Sequence, residues 1–425
     1  KMNLIISRII HNNKFNFLLV LLVVIYSFFI NWFSGNNGVM VIDTFAFFDT
    51  GYSILQNKLP IRDFWVFTGI VVDYFQAFFF LIFGENWSSY IFHSSFFNIL
   101  GSLGLYFFLK NLNLNNFLSF CYAISFATLC YPVSGTPFAY LHSYILSLLS
   151  IFFLCIALKK KYPILWFLIP LICYLAFFSM QTPSAYIILI IVFFSFHYFI
   201  KNKDLKSFNY FVSGGIFCLL FSILYIFLTK TPLQNIVYQY FLFPLSIGEE
   251  RALSDPNAYV SLMDQINFKR IIGDFKFIHI FFFPLILLTI KSLFHNNYDD
   301  YQKKINLIII FSVVVFIFNQ LMTANQIYIF SLIPLIASIL QININKFKLN
   351  YLPILLIFLI LLFVTQKYHA RYNIDRKFLD LENIDKTKAL TAQIIDNKMK
   401  NLKWITPYDN PTKELDLINK AIKII

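Results

Sequence analysis

Charged residues are scarce in this chain. They make up 13% of the 425 residues, whereas an ordinary soluble domain has about 25%. Hydrophobic residues make up 59%, and 55 of the residues are phenylalanine. A water-soluble fold of this size could not hide so much apolar surface, and an exposed Phe is harmless only where it faces lipid. The composition therefore excludes a soluble globular protein and predicts an integral membrane protein.

Several motifs of other protein classes are also missing. The chain contains no Gly-x-x-x-x-Gly-Lys-Ser/Thr, Gly-x-Gly-x-x-Gly or Gly-x-Ser-x-Gly, which argues against ATP-driven proteins and serine hydrolases. Few apolar runs carry an ionisable residue at mid-depth, which argues against an ion pump. The net charge of +13 lies in short clusters between apolar runs, where orientation signals belong, so no nucleic-acid partner is expected.

Metal-type spacing is absent as well. His93 and His279 have no histidine three or four residues further on, so we expect no metal site and no other cofactor. The cysteines all lie inside apolar runs, and we interpret them as packing residues rather than as a disulfide framework. They are Cys121, Cys130, Cys155, Cys173 and Cys218.

What the chain does contain is a series of long apolar runs. A spanning helix needs about 20 largely apolar residues, and the pattern predicts an all-α polytopic membrane protein with about eleven transmembrane helices. The first run lacks a cleavage site of small residues, so we interpret it as a membrane helix rather than a signal peptide. The predicted spans are 15–33, 90–109, 117–134, 139–158, 162–179, 184–200, 208–228, 277–293, 305–322, 327–341 and 350–365.

Basic residues between the runs predict the orientation. With the N-terminus in the cytoplasm, inside segments carry fifteen Lys and Arg, and outside segments before residue 366 carry seven, as the positive-inside rule requires. The run from Gly69 to Gly84 is only about 15 residues long and contains Asp73 and Gln76, which suits an interfacial helix. We expect a bacterial inner (plasma) membrane, with the C-terminus in the periplasm.

Two outside loops are long, residues 34–89 and 229–276. They hold ten of the thirteen acidic residues before position 366, so the predicted transmembrane domain, 1–365, has one acidic face. Residues 366–425 have mixed charge and predict a C-terminal outer segment with helices around 376–402 and 412–424, too small for a core of its own. The chain ends set no limit on the natural protein.

The first outer loop holds the candidate catalytic residues, Asp43 and Asp49. On one continuous helix, two residues six positions apart point in clearly different directions, so they need not share a task. Asp43 lies near the end of the first span, at the membrane boundary, where a carboxylate could deprotonate an acceptor hydroxyl. Alternatively, both carboxylates merely cap or solubilise an interfacial helix.

An acidic residue follows the first span, then Ile54-Leu55-x-x-x-Leu59-Pro60-x-x-Asp63-Phe64, and then an apolar helix ending in Phe83-Gly84. This pattern resembles the first outer loop of GT-C glycosyltransferases, which include protein O-mannosyltransferases and lipid A aminoarabinose transferases. The resemblance covers residues 15–110 in pattern and the rest only in topology. It implies two juxtamembrane helices, an outer C-terminal domain, a sugar donor on a polyprenyl-phosphate carrier, and Asp43 as catalytic base. Many members have an Asp-Glu pair where this chain has Asp43-Thr44, which leaves Asp43 against Asp49 open.

A carrier phosphate requires fixed cations at the bilayer edge, and arginine can bind it through two hydrogen bonds. Arg251 in the second outer loop is the first candidate. Arg251 and the basic residues around it in this loop could equally be ordinary solvated loop charges. Polar residues at the outer ends of spans could line a sugar or phosphate pocket, or simply bond neighbouring helices. The remaining substrate-binding candidates are Arg62, Lys230, Lys269, Arg270, His142, Gln181, Asn325 and Gln326.

These features together predict an inverting glycosyltransferase at the outer face of the membrane. It would move a sugar from a polyprenyl-phosphate carrier to a lipid-linked glycan or a protein. One alternative is a transporter or flippase of lipid-linked saccharides, which would usually show repeated halves, and we find no internal repeat. Another is an O-antigen polymerase or ligase, which would depend more on outer-loop arginines and a histidine.

Overall fold

The fold is that of a computed structural model, an all-α bundle. It describes residues 13–38, 43–66, 68–160, 162–252, 266–294, 299–323, 328–345, 352–369, 389–404, 416, 417, 419 and 420. At residues 13, 43, 248–252, 353 and 404 the description covers the backbone alone.

Within these residues, the helices occur in the same places as the apolar runs. In chain order they are α1 (Asn13–Asn36), α2 (Ala46–Leu55), α3 (Ile70–Phe83), α4 (Trp87–Asn111), α5 (Asn116–Leu129), α6 (Ala139–Lys159), α7 (Pro163–Phe177), α8 (Gln181–Asn202), α9 (Leu205–Thr229), α10 (Leu233–Val237), α11 (Phe243–Ala252), α12 (Phe268–Gly273), α13 (Lys276–Phe294), α14 (Asp300–Thr323), α15 (Leu332–Ile344) and α16 (Leu352–Lys367).

Eight of the described helical segments are long and apolar enough to cross a membrane: α1, α4, α5 with the turn to Val133, α6, α8, α9, α13 and α14. Each of the eleven predicted spans coincides with a helix. Three of them, 162–179, 327–341 and 350–365, coincide with the shorter helices α7, α15 and α16, of 15, 13 and 16 residues. The integral-membrane character of the chain is supported, while the count of eleven and the orientation stay predictions.

The helices divide into an enclosed group and a peripheral one. In α5 and α6, 78% of the most apolar window is buried inside the protein, whereas in α9 the figure is 11%. α6 packs against α4, α7, α8 and α14, and α9 packs mainly on α7. α6 therefore lies at the centre of the bundle, and α9 presents most of its apolar surface outward, as a lipid-facing helix does.

Buried amides bond the enclosed helices to one another. Asn31 on α1 donates through Nδ2 to Ser94 Oγ at 2.9 Å and to Ser95 Oγ at 3.1 Å on α4. Asn98 on α4 donates to the Ser27 carbonyl at 2.9 Å and to the Ala127 carbonyl at 3.1 Å. Small polar residues at such interfaces let helices approach closely and satisfy each other's polar groups where no water is present.

The long first loop and the second loop lie at one end of the bundle, which we call the loop end. Two helices of the first loop, α2 and α3, occur where the sequence predicts juxtamembrane helices. The N-terminus of α4 is capped by Asn86, whose Oδ1 accepts from the Ser89 amide at 3.0 Å, as is usual for an N-cap residue.

The C-terminal segment also contacts the loop end. Residues 389–404 contain a two-residue strand β1 (Leu390–Thr391), two 3-10 turns and a strand β2 (Lys403–Trp404) that pairs with β1 in antiparallel register. The helix predicted over 376–402 is therefore wrong for residues 389–402. Ala392 and Leu402 are buried in the apolar cluster of α2, α3 and α4, because this short stretch buries its apolar side chains on the membrane domain rather than in a core of its own.

Candidate functional site

A groove of about 600 Å³ lies between α3, α7 and α9 at the loop end. Ile70, Tyr74 and Phe78 recur every four residues along α3 and so form one wall. The volume is within the range of about 300 to 1,000 Å³ found for small-molecule sites. The other lining residues are Val71, Phe75, Tyr174, Leu175, Phe178, Phe221, Leu224, Tyr225, Leu228 and Thr229. We call this the lateral groove, because its α9 wall belongs to the outward-facing helix.

Tyrosine hydroxyls supply much of the polar part of this groove. Tyr74 and Tyr225 share a hydrogen bond of 3.0 Å between α3 and α9, and Tyr174 bonds Ser222 at 2.9 Å between α7 and α9. Further along, α7 and α9 meet at Gly214, where a Cβ would lie 2.4 Å from the Phe167 carbonyl oxygen. A larger residue there would push the two helices apart.

A strained turn links the two long loops beside the groove. Ile61 adopts φ +69°, a left-handed conformation that is rare for a β-branched residue and costs about 1 to 3 kcal/mol. The turn is held because the Ile61 carbonyl accepts from Asn235 Nδ2 and Gln239 Nε2, both at 3.1 Å. Gln239 Oε1 also accepts from the Val66 amide at 3.0 Å. We call these residues, with Arg62, the loop junction.

The strained turn places Arg62 against the end of α9. Its Nη1 donates to the Thr229 carbonyl at 2.9 Å, and Thr229 lines the lateral groove. Nε and Nη2 donate to the two carboxylate oxygens of Asp63 at 2.9 and 2.7 Å. The bonds from Arg62, with the Leu59 amide, lower the pKa of Asp63 to about 2, so the pair stays ionised. Arg62 therefore lies where the groove meets the loops.

The face of α3 that turns away from the groove packs on α2. Thr50 on α2 donates to Asp73 Oδ1 at 2.5 Å. Next to it on α2, a Cβ on Gly51 would lie 2.6 Å from Cγ of Gln76, one turn after Asp73 on α3. Burial raises the pKa of Asp73 to about 7, since desolvation disfavours the charged form. α3 thus separates the lateral groove on one face from α2 and a buried carboxyl on the other.

A chain of buried polar side chains continues from α3 into the bundle. His93 Nδ1 lies 2.9 Å from Gln76 Oε1, and His93 Nε2 lies 2.9 Å from His142 Nε2. His142 Nδ1 lies 2.7 Å from the Tyr131 hydroxyl and 3.0 Å from the Phe138 carbonyl. The Tyr131 oxygen also accepts from the Phe138 amide at 3.0 Å. Every ring nitrogen is engaged while both histidines are neutral. His142, predicted to line a pocket, is instead fully buried among these polar side chains.

The two candidate catalytic carboxylates are placed differently. Asp49 is exposed in the first turn of α2. Asp43 begins the 3-10 turn that precedes α2, and its side chain lies outside the description. The next residue is anchored, because the Tyr90 hydroxyl on α4 donates to the Thr44 carbonyl at 2.5 Å. The backbone at Asp43 is therefore tied to a membrane helix.

The predicted cations do not form one cluster in the described part of the chain. Lys230 is exposed directly after α9, and so follows the Thr229 carbonyl that Arg62 contacts. Arg270 on α12 pairs with Asp274 at 3.0 Å, and Lys269 beside it is exposed. The side chain of Arg251, the first candidate from the sequence, lies outside the description.

The predicted amides are likewise separate. Gln181 at the start of α8 donates from Nε2 to the Tyr240 carbonyl at 3.3 Å, which ties α8 to the second long loop. Asn325 and Gln326 lie outside the described residues.

The sequence alone did not predict three features: the lateral groove, the loop junction and the His93–His142 pair. The histidines are 49 residues apart on α4 and α6, and a search for spacings of three or four residues cannot find them. The four-residue stripe on α3 was the available signal for the groove, although an apolar stripe also fits ordinary packing. Among the described residues, no group of three or more His, Cys, Asp or Glu could hold a metal ion. Neither the protein-family models nor the curated proteins searched contain a match to this chain.

Proposed function

We propose that the chain is a membrane glycosyltransferase that takes a sugar from a polyprenyl-phosphate carrier at the loop end and transfers it to a glycan or protein hydroxyl. The observation that carries the proposal is the lateral groove ending at Arg62. A carrier of this kind combines a long apolar chain with an anionic phosphate. An apolar groove beside the cation Arg62 suits both parts of such a molecule.

The apolar chain of the carrier would occupy the groove. Phe78, Phe221 and Leu224 are at once lining residues and outward exposed ones, so the groove is open to the side from which a lipid would enter. Burial of hydrocarbon against these side chains contributes about 25 cal/mol per Å². The Tyr74 and Tyr225 hydroxyls share a hydrogen bond, so one of the two donors in this part of the groove keeps its partner when an apolar chain binds.

The phosphate would lie at the loop junction. Arg62 has five N–H groups, and three of them are engaged by Asp63 and Thr229 within the described residues. The remaining two can bind phosphate oxygens, and a charge-assisted bond of this type is about twice as strong as a neutral one. Lys58 lies four residues before Arg62, and Lys230 follows Thr229, whose carbonyl Arg62 contacts. Both are exposed cations and would add to the attraction for the phosphate.

Transfer would be a direct displacement with inversion. The Asp43 carboxylate removes the proton of the acceptor hydroxyl, whose oxygen attacks the anomeric carbon while the bond from that carbon to the phosphate oxygen breaks. The leaving phosphate gains charge in this step, and Arg62 stabilises it. Asp43 is favoured over Asp49 by the family resemblance and by its anchored backbone beside the end of the first span.

The test uses the purified full chain in liposomes that contain a lipid-linked sugar donor and an acceptor. We expect Asp43→Asn to lower kcat at least about a hundredfold and to leave KM for the donor within about twofold, because only the proton acceptor is lost. Asp49→Asn is the matched control and keeps kcat. The reverse result would move the base to Asp49.

Full transfer by both variants would overturn the catalytic assignment. If the wild-type chain moves the lipid-linked sugar across the bilayer while the sugar–phosphate bond stays intact, the function is that of a flippase, and the proposed transfer is wrong.

A further inference from the structure

A second cavity, of about 330 Å³, lies at the end of the bundle opposite the outer loops. We call it the opposite-end cavity. It is enclosed by the α4–α5 turn, the end of α6, the start of α14 and the end of α15. Its lining residues are Leu112, Asn113, Leu114, Lys159, Asp299, Tyr301, Gln302, Ile342 and Asn345.

The cavity holds one cation and one anion that do not pair with each other. Lys159 Nζ donates to the Asn111 carbonyl at 2.8 Å and lies 5.6 Å from the centre of the Tyr301 ring. Asp299 accepts from the Gln302 amide through Oδ1 at 2.7 Å. Within the described part of the chain, neither side chain takes part in an ion pair of 4.0 Å or less. Opposite charges that share a cavity at a distance leave a gap that a ligand with both charges could bridge.

The wall that carries these groups is fixed by buried hydrogen bonds. Gln302 Nε2 donates to Asn306 Oδ1 at 3.1 Å, and Asn306 exchanges two bonds of 3.1 Å with Asn343 on α15. The Tyr301 hydroxyl donates to the Cys155 carbonyl at 2.9 Å. Because α6, α14 and α15 are bonded together in this way, the cavity is preformed, which lowers the entropic cost of binding.

We propose that the opposite-end cavity binds a small zwitterion with a primary ammonium and a phosphate, the chemistry of a phosphoethanolamine headgroup. Lys159 would meet the phosphate, and the free carboxylate oxygen of Asp299 would meet the ammonium, so each charge gains a charge-assisted bond. A simple anion would engage only Lys159 and a simple cation only Asp299, whereas a zwitterion engages both side chains.

The position of the cavity favours phosphatidylethanolamine as the source of the headgroup. It lies where membrane helices end, which is the depth of lipid headgroups, and Leu112, Leu114 and Ile342 give it an apolar wall for the start of the acyl chains. This inference does not depend on the proposed transfer, because it concerns the other end of the bundle.

The experiment is native mass spectrometry of the full chain, purified in detergent and titrated with phosphatidylethanolamine or with phosphatidylglycerol, which lacks the amine. We expect the wild-type chain to retain phosphatidylethanolamine about tenfold more strongly. Lys159→Gln and Asp299→Asn should each lower this retention to the phosphatidylglycerol level. Both substitutions remove a charge but keep a group able to make the bond to Asn111 or Gln302, so the fold should persist.

Lys201→Gln is the matched control, since Lys201 lies at the same end but pairs with Asp300 at 3.0 Å outside the cavity. Equal retention of the two lipids, or unchanged retention in both cavity variants, would overturn the proposal. Displacement of the lipid by free phosphoethanolamine would support the zwitterion chemistry and assign it to a soluble source. Failure of the free headgroup to compete, with lipid selectivity intact, would support the lipid source.

Discussion

The lateral groove and the opposite-end cavity differ in how they treat charge. The groove is lined almost entirely by apolar and aromatic side chains, and Arg62, which contacts the carbonyl of its lining residue Thr229, is already paired with Asp63. The cavity is about half the size and contains Lys159 and Asp299 without an ion pair between them. A paired charge at the mouth of an apolar groove suits a long chain with one anionic end, whereas separated charges suit a short zwitterion.

The same difference extends to the carboxyls around each site. At the loop end the buried carboxyl Asp73 accepts a hydrogen bond from Thr50, and burial raises its pKa to about 7, which favours the neutral form below that pH. At the opposite end Asp299 is exposed and lines the cavity, and among the described residues only its Oδ1 accepts a hydrogen bond. The contrast between the two ends can therefore be tested either by making Asp73 unable to titrate or by changing the shape of the groove.

The largest expected effect concerns Asp73. Its pKa in the folded chain, about 7, is above its ordinary value of 3.8, so its contribution to stability is complete below about pH 4 and is lost as the pH rises through 7. The linkage amounts to at most about 4 kcal/mol. Asp73→Asn cannot titrate, and we expect it to flatten the fall in Tm of the purified protein between pH 5 and 8 and to raise Tm at pH 8.

Asp49→Asn is the control for this measurement, because it removes an exposed carboxyl from the helix that packs on α3. Only the difference between each variant and the wild-type chain counts, since other groups also titrate over this range. An Asp73→Asn chain that keeps the wild-type pH dependence would mean that Asp73 is ionised when folded, and the contrast between the two ends would disappear.

The second expected effect concerns the shape of the lateral groove. Leu224→Trp on α9 should fill part of the groove and raise KM for the lipid-linked donor about tenfold, with little change in kcat, because the carrier chain loses its place while the reacting groups stay. Leu220→Trp one turn earlier is the control, since Leu220 is exposed on α9 and does not line the groove.

An unchanged KM in Leu224→Trp would place the carrier elsewhere. If instead the variant lost retention of phosphatidylethanolamine, the two sites would be coupled through the bundle, and they could no longer be treated as independent.

The fold was largely predictable from the sequence because spanning segments have a strong local signal. Each predicted span coincides with a helix, and a helix forms between Gly69 and Gly84 as α3, while its interfacial position stays a prediction. The C-terminal helix was wrong over 389–402 because its apolar residues, such as Leu402, gain more by packing on the apolar cluster of the membrane domain than by one-sided helix formation.

The candidate site was much less predictable. Arg62 could be named from its position in the first loop, but its contact with Thr229 depends on a left-handed Ile61, a conformation that the residue type argues against. Likewise, the partners of Gln239 are about 175 residues away in sequence. Long-range contacts of this kind carry no local pattern, so a single sequence can suggest the chemistry of a site more readily than its geometry.

The smallest expected effect concerns the hydrogen bond of 3.0 Å between Tyr74 and Tyr225, which joins the α3 and α9 walls of the groove. A neutral hydrogen bond contributes about 0.5 to 1.5 kcal/mol. At the lower end of this range, Tyr74→Phe and Tyr225→Phe should each raise KM for the donor about two- to threefold. The double variant should be no worse than either single one, because the second substitution removes a group that has already lost its partner. Tyr238→Phe, on an exposed residue of the second loop, should leave KM unchanged. Strictly additive effects of Tyr74→Phe and Tyr225→Phe would show that the two walls are not bonded when the carrier binds, and the groove would then have to widen to admit it.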